Sequence, residues 1–100
     1  MAEKLLFLTG KFAEPSLRQV LKQMGEVDFE YRIHQLGVSV AALMTDKMIA
    51  RRLKPETIGD SERIIVPGRC RGDMDALSQQ LGVPVVRGPE EVKDLPLFFG

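Results

Sequence analysis

Cysteine is almost missing from this sequence. Cys70 stands alone among 100 residues, so no intrachain disulfide can staple the fold. A lone thiol suits a reducing compartment, and the expectation is a cytoplasmic protein. An excess of charge is missing too. The 14 basic residues are matched by 14 acidic ones, which removes the basic footprint of a nucleic-acid binder. No apolar run approaches the roughly 20 residues that span a membrane. Neither nucleic acid nor membrane is therefore expected as a partner. Near the N-terminus, Lys4 is followed only by Leu5 to Leu8 before Thr9 intervenes, too short a stretch for a secretory signal. Low-complexity segments and interior linkers are absent as well. Tryptophan is also absent, which excludes nothing.

What remains is ordinary globular material. Apolar residues make up 44% of the chain and are spread throughout it, enough for one core and against disorder. The length suits a single domain over residues 1–100.

Lys4 to Thr9 is a continuous apolar run, the pattern of a strand buried on both faces. Pro15 suits a first helical turn, and Leu17, Val20, Leu21 and Met24 follow on one helical face up to Gly25. Asp28 to His34 alternates, with Phe29, Tyr31 and Ile33 against Glu30, Arg32 and His34. One wet face places this strand at a sheet edge. Val40, Leu43, Met44, Met48, Ile49 and Leu53 predict a second helix from about residue 40, with Thr45 and Asp46 on its polar face and Pro55 and Gly59 closing it. Arg63 to Pro67 is a third strand, Asp73 to Leu81 a third helix ended by Gly82, and Val83 to Val86 a fourth strand. Pro84 again suggests an edge.

Helices between strands imply parallel pairing with right-handed crossovers. The two continuous apolar strands belong in the middle and the two compromised ones outside. The predicted fold is thus α/β, a small three-layer parallel sheet of flavodoxin-like or half-Rossmann type, with four strands in the order 2-1-3-4. The tail, residues 88–100, carries Leu95, Leu97, Phe98 and Phe99. It either docks on its own core as a short helix or leads toward a further domain.

Open parallel sheets bind ligands beyond the carboxyl ends of their strands, where the strand order reverses. That point lies between strands one and three. Its loops are Thr9-Gly10-Lys11 and Gly68-Arg69-Cys70-Arg71-Gly72-Asp73. Glycines permit close backbone approach, and the second loop runs into a helix N-terminus. Thr9, Gly10, Lys11, Gly68, Arg69, Arg71, Gly72 and Asp73 are therefore the candidate binding residues. Lys11, Arg69 and Arg71 would converge on a small phosphate or carboxylate. The alternative is that the arginines are solvated turn residues. His34 and Ser39 are secondary polar candidates near the same edge.

Sharper motifs fail. Gly10-Lys11 ends like a phosphate-binding loop, but Phe12 replaces the required Ser or Thr. The dinucleotide fingerprint is absent. A phosphatase-type cysteine loop would want Arg where Ala76 stands. The Arg71-Gly72-Asp73 tripeptide reads as a turn followed by a helix cap at Gly72 or Asp73. A single histidine makes a poor metal site. No catalytic set emerges, and neither a cofactor nor a metal is implied.

The segments Leu8-Thr9-Gly10-Lys11, His34 to Thr45 and Val66 to Asp73, together with Lys93-Asp94-Leu95-Pro96, resemble the N-terminal domain of the dihydropteroate synthase-like proteins. Those proteins belong to methanogens and to bacteria that use tetrahydromethanopterin-type C1 carriers. The resemblance implies an accessory domain preceding a pterin-binding barrel, which would carry any synthase chemistry. The barrel's active-site residues have no counterparts in this chain. Three readings follow. The first is an accessory or ligand-binding domain of pterin metabolism. The second is an interaction module that joins a barrel domain or a second copy of itself. The third is a small enzyme for a phosphorylated or carboxylated metabolite that uses Lys11, His34 and Ser39.

Overall fold

The computed structural model describes residues 3–40 and 43–99. Its first strand, β1 (Glu3–Thr9), is the hub. Leu5, Leu6, Phe7, Leu8 and Thr9 are all buried, because helices cover both faces of the strand. The pleat sends Leu6 and Leu8 into one core, and Leu5 and Phe7 into another.

Helix α1 (Glu14–Gln23) packs on the second face through Leu17 and Leu21. Its apolar positions recur every three to four residues, so one stripe meets the sheet. Strand β2 (Phe29–Gln35) then pairs parallel to β1, from Glu3 opposite Phe29 to Thr9 opposite Gln35. Phe29 and Ile33 join the α1 core, as the alternation anticipates. On the other face, the Arg32 Nη2 donates to the carbonyls of Thr57 and Ile58 and to Ser61 Oγ.

The second helix departs from expectation. Residues 41 and 42 of the predicted span lie outside the described residues. Helix α2 covers only Asp46–Arg52. Thr45 is extended (φ −132°, ψ 162°) and its side chain accepts from the Met48 N–H, so it caps the helix and is not part of its polar face. Tertiary pairing overrides the helical spacing of Val40 and Leu43. Lys11 N donates to Val38 O at 2.7 Å and Phe12 N to Ser39 O at 3.1 Å. Thr45 also forms a parallel bridge with Arg71. Pro55 stands two residues past the C-cap Leu53, with Lys54 extended before it, so the helix does stop there. Pro55 also opens a further single turn, α3 (Pro55–Ile58), where its missing N–H is harmless.

Strand β3 (Arg63–Val66) lies beside β1, and β4 (Val85–Arg87) beside β3. The sheet is parallel in the order β2-β1-β3-β4, as the sequence predicts. Helix α4 (Met74–Leu81) joins α2 and α3 over the first face, where Ile49, Leu53, Ile58, Met74 and Leu77 share a core with Ile64 and Val66. After β4, a 3-10 turn (Val92–Asp94) leads to α5 (Leu95–Phe99). The tail docks on its own core. Leu95 is buried, and the Phe99 ring lies 4.7 Å from Phe29 and 6.1 Å from Phe7, centre to centre. Leu97 on the same helix is 81% exposed. Among the described residues, no helix is long and apolar enough to cross a membrane.

Candidate functional site

The sheet's carboxyl edge opens into a cleft of about 470 Å³ between the ends of β1 and β3. This is the reversal point of the strand order, and the volume lies within the usual range for small-ligand sites. Its floor is Thr9 and the last residues of β3. Phe12, Ala13 and Leu17 form one wall, and Val40 adds to it. The opposite wall is the chain leaving β4, from Gly88 to Val92.

Most of these side chains are apolar. The polar groups are few and placed differently. Thr9 is only 3% exposed, and its hydroxyl makes one long bond, 3.4 Å to Gly10 O. Such a bond is weak, which leaves the hydroxyl able to serve a ligand. Arg69 stands at the rim on one side, with Glu90 and Glu91 on the other. Phe12 is 70% exposed. Its ring stands at the mouth of the cleft.

Gly68 shapes the cleft by what it lacks. A Cβ there would lie 2.5 Å from the carbonyl carbon of Pro89 and 2.6 Å from the Glu90 nitrogen. The chain leaving β4 can cross the β3 loop only because residue 68 has no side chain. The Gly88 N–H donating to Val66 O at 2.8 Å holds that crossing.

The structure separates the predicted binding residues. Thr9, Gly68 and Arg69 line the cleft, and Gly10 is buried next to Thr9. Lys11, His34 and Ser39 do not line it. Neither do Arg71, Gly72 and Asp73, which sit on the far side of Cys70. There Arg71 is tied to residues 44–46: its N–H donates to Met44 O, and its carbonyl accepts from Asp46 N. The Arg87 guanidinium donates to the carbonyls of Cys70 and Gly72.

The N-terminus of α4, where an anion was expected, is served by the protein itself. Asp73 is the cap, accepting from Ala76 N at 3.0 Å, and an Asp46 carboxylate oxygen accepts from Asp73 N at 3.1 Å. These carboxylates take the place of an external anion. Gly72, at φ +118°, faces the Asp46 carboxylate, and a side chain there would collide with it. Of Lys11, Arg69 and Arg71, Arg69 alone lines the cleft.

Cys70 is buried, and desolvation pushes its thiol pKa up despite the nearby Arg87. Burial opposes the thiolate that catalysis would need. Native protein is expected to resist iodoacetamide at neutral pH, and to react fully once denatured. Mass spectrometry reads both states, and rapid native labelling would contradict this burial. At the start of α1, Gln35 and then Arg18 hydrogen-bond the Glu14 carboxylate and hold its pKa below the ordinary value. Among the described residues, no group of three or more metal-ligating side chains is found.

Sequence reasoning missed Phe12, Val40 and the Pro89 to Glu91 wall. Phe12 figured only as a mismatch to a phosphate loop, and Val40 as a helix residue. An aromatic residue directly after a strand-end glycine loop was the available signal. The model of a protein family of unknown function, DUF6513, matches residues 3–90. An uncharacterized protein of Methanocaldococcus jannaschii, MJ0107, is 26% identical over 103 residues. The match covers 96% of this chain and 19% of that protein, so the chain spans about a fifth of its relative. No solved structure matches the chain.

Proposed function

The chain belongs to the DUF6513 family of unknown function, and we propose that within it this domain is a ligand-binding accessory domain of pterin, or C1-carrier, metabolism. The observation that carries the proposal is the cleft between β1 and β3. It has apolar walls, a nearly unengaged buried hydroxyl at Thr9, one lining cation, Arg69, on one side of the rim and two carboxylates, Glu90 and Glu91, on the other. A flat heteroaromatic ring fits that distribution, with ring faces against the apolar walls, N–H donors available to Glu90 or Glu91, and one anionic substituent. The ring would lie between Phe12 and the Pro89 wall, with its polar edge toward Thr9 and its anionic group toward Arg69. Two segments that resemble the dihydropteroate synthase-like proteins, Leu8 to Lys11 and Val66 to Asp73, both contribute residues to this cleft. The much greater length of the M. jannaschii relative also suits a domain that works beside others.

A second reading rests on a separate observation. Phe12, Val40 and Leu43 are all exposed near this edge, Leu43 to 65%. The same surface could seat a partner domain such as a pterin-binding barrel, which would close the cleft from above.

Thermal shift separates the readings. The probes are pterin, pterin phosphates, inorganic phosphate, nucleotides and aminobenzoate. A ligand at about 100 times its dissociation constant stabilises by roughly 2.7 kcal/mol, several degrees for a domain this size. Pterin phosphate is expected to raise Tm in the native chain. Arg69→Ala is expected to remove the phosphate-dependent part of that rise, and Phe12→Ala most of the rest. A flat response to every compound would reject the ligand site and leave the partner-domain reading.

A further inference from the structure

Strand β2 is an exposed edge seven residues long. Leu36 N donates to Thr9 O, and backbone direction alternates along a strand. The N–H and C=O groups of Arg32 and His34 therefore point at β1. Those of Phe29, Tyr31, Ile33 and Gln35 point outward, away from the sheet. Such a row is a template for another strand.

The residues along this edge complement themselves. We infer that two copies of the chain pair antiparallel through β2, about a two-fold axis passing beside Tyr31. Around that axis, Tyr31 faces the partner's Tyr31, and Phe29 faces the partner's Ile33. These are outward-pointing residues, so they form the hydrogen-bonded pairs, roughly six backbone bonds in all. Glu30 then faces the partner's Arg32, and Asp28 the partner's His34. These alternate pairs bring side chains closest together, and both unite an acid with a base. The apolar residues share one face and the charged ones the other, as the pleat requires.

Register is specified by charge. Sliding the partner by two residues sets Glu30 on Glu30 or Arg32 on Arg32, and like charges directly opposite destabilise. Sliding by one residue turns outward-pointing groups against inward-pointing ones and breaks the ladder. Arg32 is held in place, because its Nη2 is anchored to Thr57, Ile58 and Ser61. Its other nitrogens have no hydrogen-bond partner among the described residues and can meet the partner's Glu30. Tyr31 is 39% exposed at the axis.

The test is sedimentation equilibrium on the whole chain, with each variant first shown by circular dichroism to be folded, because Tyr31 packs on Phe7 and Arg32 holds residues 57–61. Glu30→Arg sets two arginines against each other across both symmetric pairs. It is expected to raise the dimer dissociation constant about tenfold. Arg32→Glu is expected to do the same, and a mixture of the two variants is expected to recover dimers, since each strand then complements the other. Tyr31→Cys, in chain that remains folded, provides a positional readout independent of the charge changes. Facing Cα atoms in a hydrogen-bonded pair lie about 5.5 Å apart, within disulfide reach, so mild oxidation is expected to link two chains. Glu30→Cys in the same register is expected to link far less. A native chain that stays monomeric at the highest attainable concentration overturns the inference. So does a dimer that Tyr31→Cys fails to cross-link, or one indifferent to Glu30→Arg.

Discussion

Phe7→Ala is expected to lower stability by about 3–5 kcal/mol, the usual loss for deleting a fully buried ring. For a domain this small each kcal/mol moves Tm by roughly 4–8 °C, so scanning calorimetry should find a drop on the order of 15 °C or more. The expectation comes from where the ring stands. Phe7 is at the centre of β1, 2% exposed, with the rings of Phe29, Tyr31 and Phe99 about it at 6.1–6.3 Å. Three separate elements, β1, β2 and α5, meet on that one side chain. Its removal leaves a cavity that the sheet cannot close, because β1 is held by strands on both sides. Phe12→Ala makes the internal comparison. The same group is deleted, but from an exposed wall of the cleft, and stability should change by no more than about 0.5 kcal/mol. A small loss at Phe7, or a large one at Phe12, would show that the core and the cleft had been exchanged.

The contrast between these phenylalanines also shows what a sequence can disclose. Phe7 lies within an apolar run, and such a run has few places to go except the middle of a parallel sheet. Strands β1 and β3, the wet edge of β2 and the order 2-1-3-4 follow from that kind of local pattern. Gly82 ends α4 with a left-handed backbone, as its position suggests. Half of the cleft is legible for the same reason: the loops at Thr9 and Gly68 must lie where the strands end. The rest depends on contacts between distant residues. Val40 and Leu43 keep helical spacing, but residues 38 and 39 accept backbone hydrogen bonds from the β1 loop, and the helix starts only at Asp46. Asp46 reaches across 27 positions to accept from the N–H of Asp73, the cap of α4, and no local signal in the sequence announces that. The Pro89 wall comes from the tail, where the apolar residues point attention to docking and away from binding. What the sequence does contain, although only the structure makes it readable, is the two-fold complementarity of Asp28 to His34. The pairing depends on which residues turn their backbone groups outward, and the hydrogen bond from Leu36 N to Thr9 O sets that.

Gly68→Ala is expected to cost about 1–3 kcal/mol, the range for forcing an extra methyl into packed structure, and to abolish the ligand-induced rise in Tm. Gly68 is not in the left-handed region, so the penalty has one source, the meeting with Pro89 and Glu90. Backbone cannot rotate away as a flexible side chain can, and the whole 88–91 segment must lift. That lift strains the hydrogen bond from Gly88 N to Val66 O and opens one wall of the cleft. Amide exchange at Gly88 should quicken accordingly, measured by NMR in the variant and the native chain. The added methyl does not remove any polar group of the site, so lost binding with a folded domain would report on the wall alone. Lys11→Ala and Arg71→Ala complete the argument. Neither residue lines the cleft, and both variants should keep the ligand response. If Arg71→Ala instead abolished it while Gly68→Ala did not, the ligand would belong in front of α4, displacing Asp46, and the cleft would lose its claim to be the site.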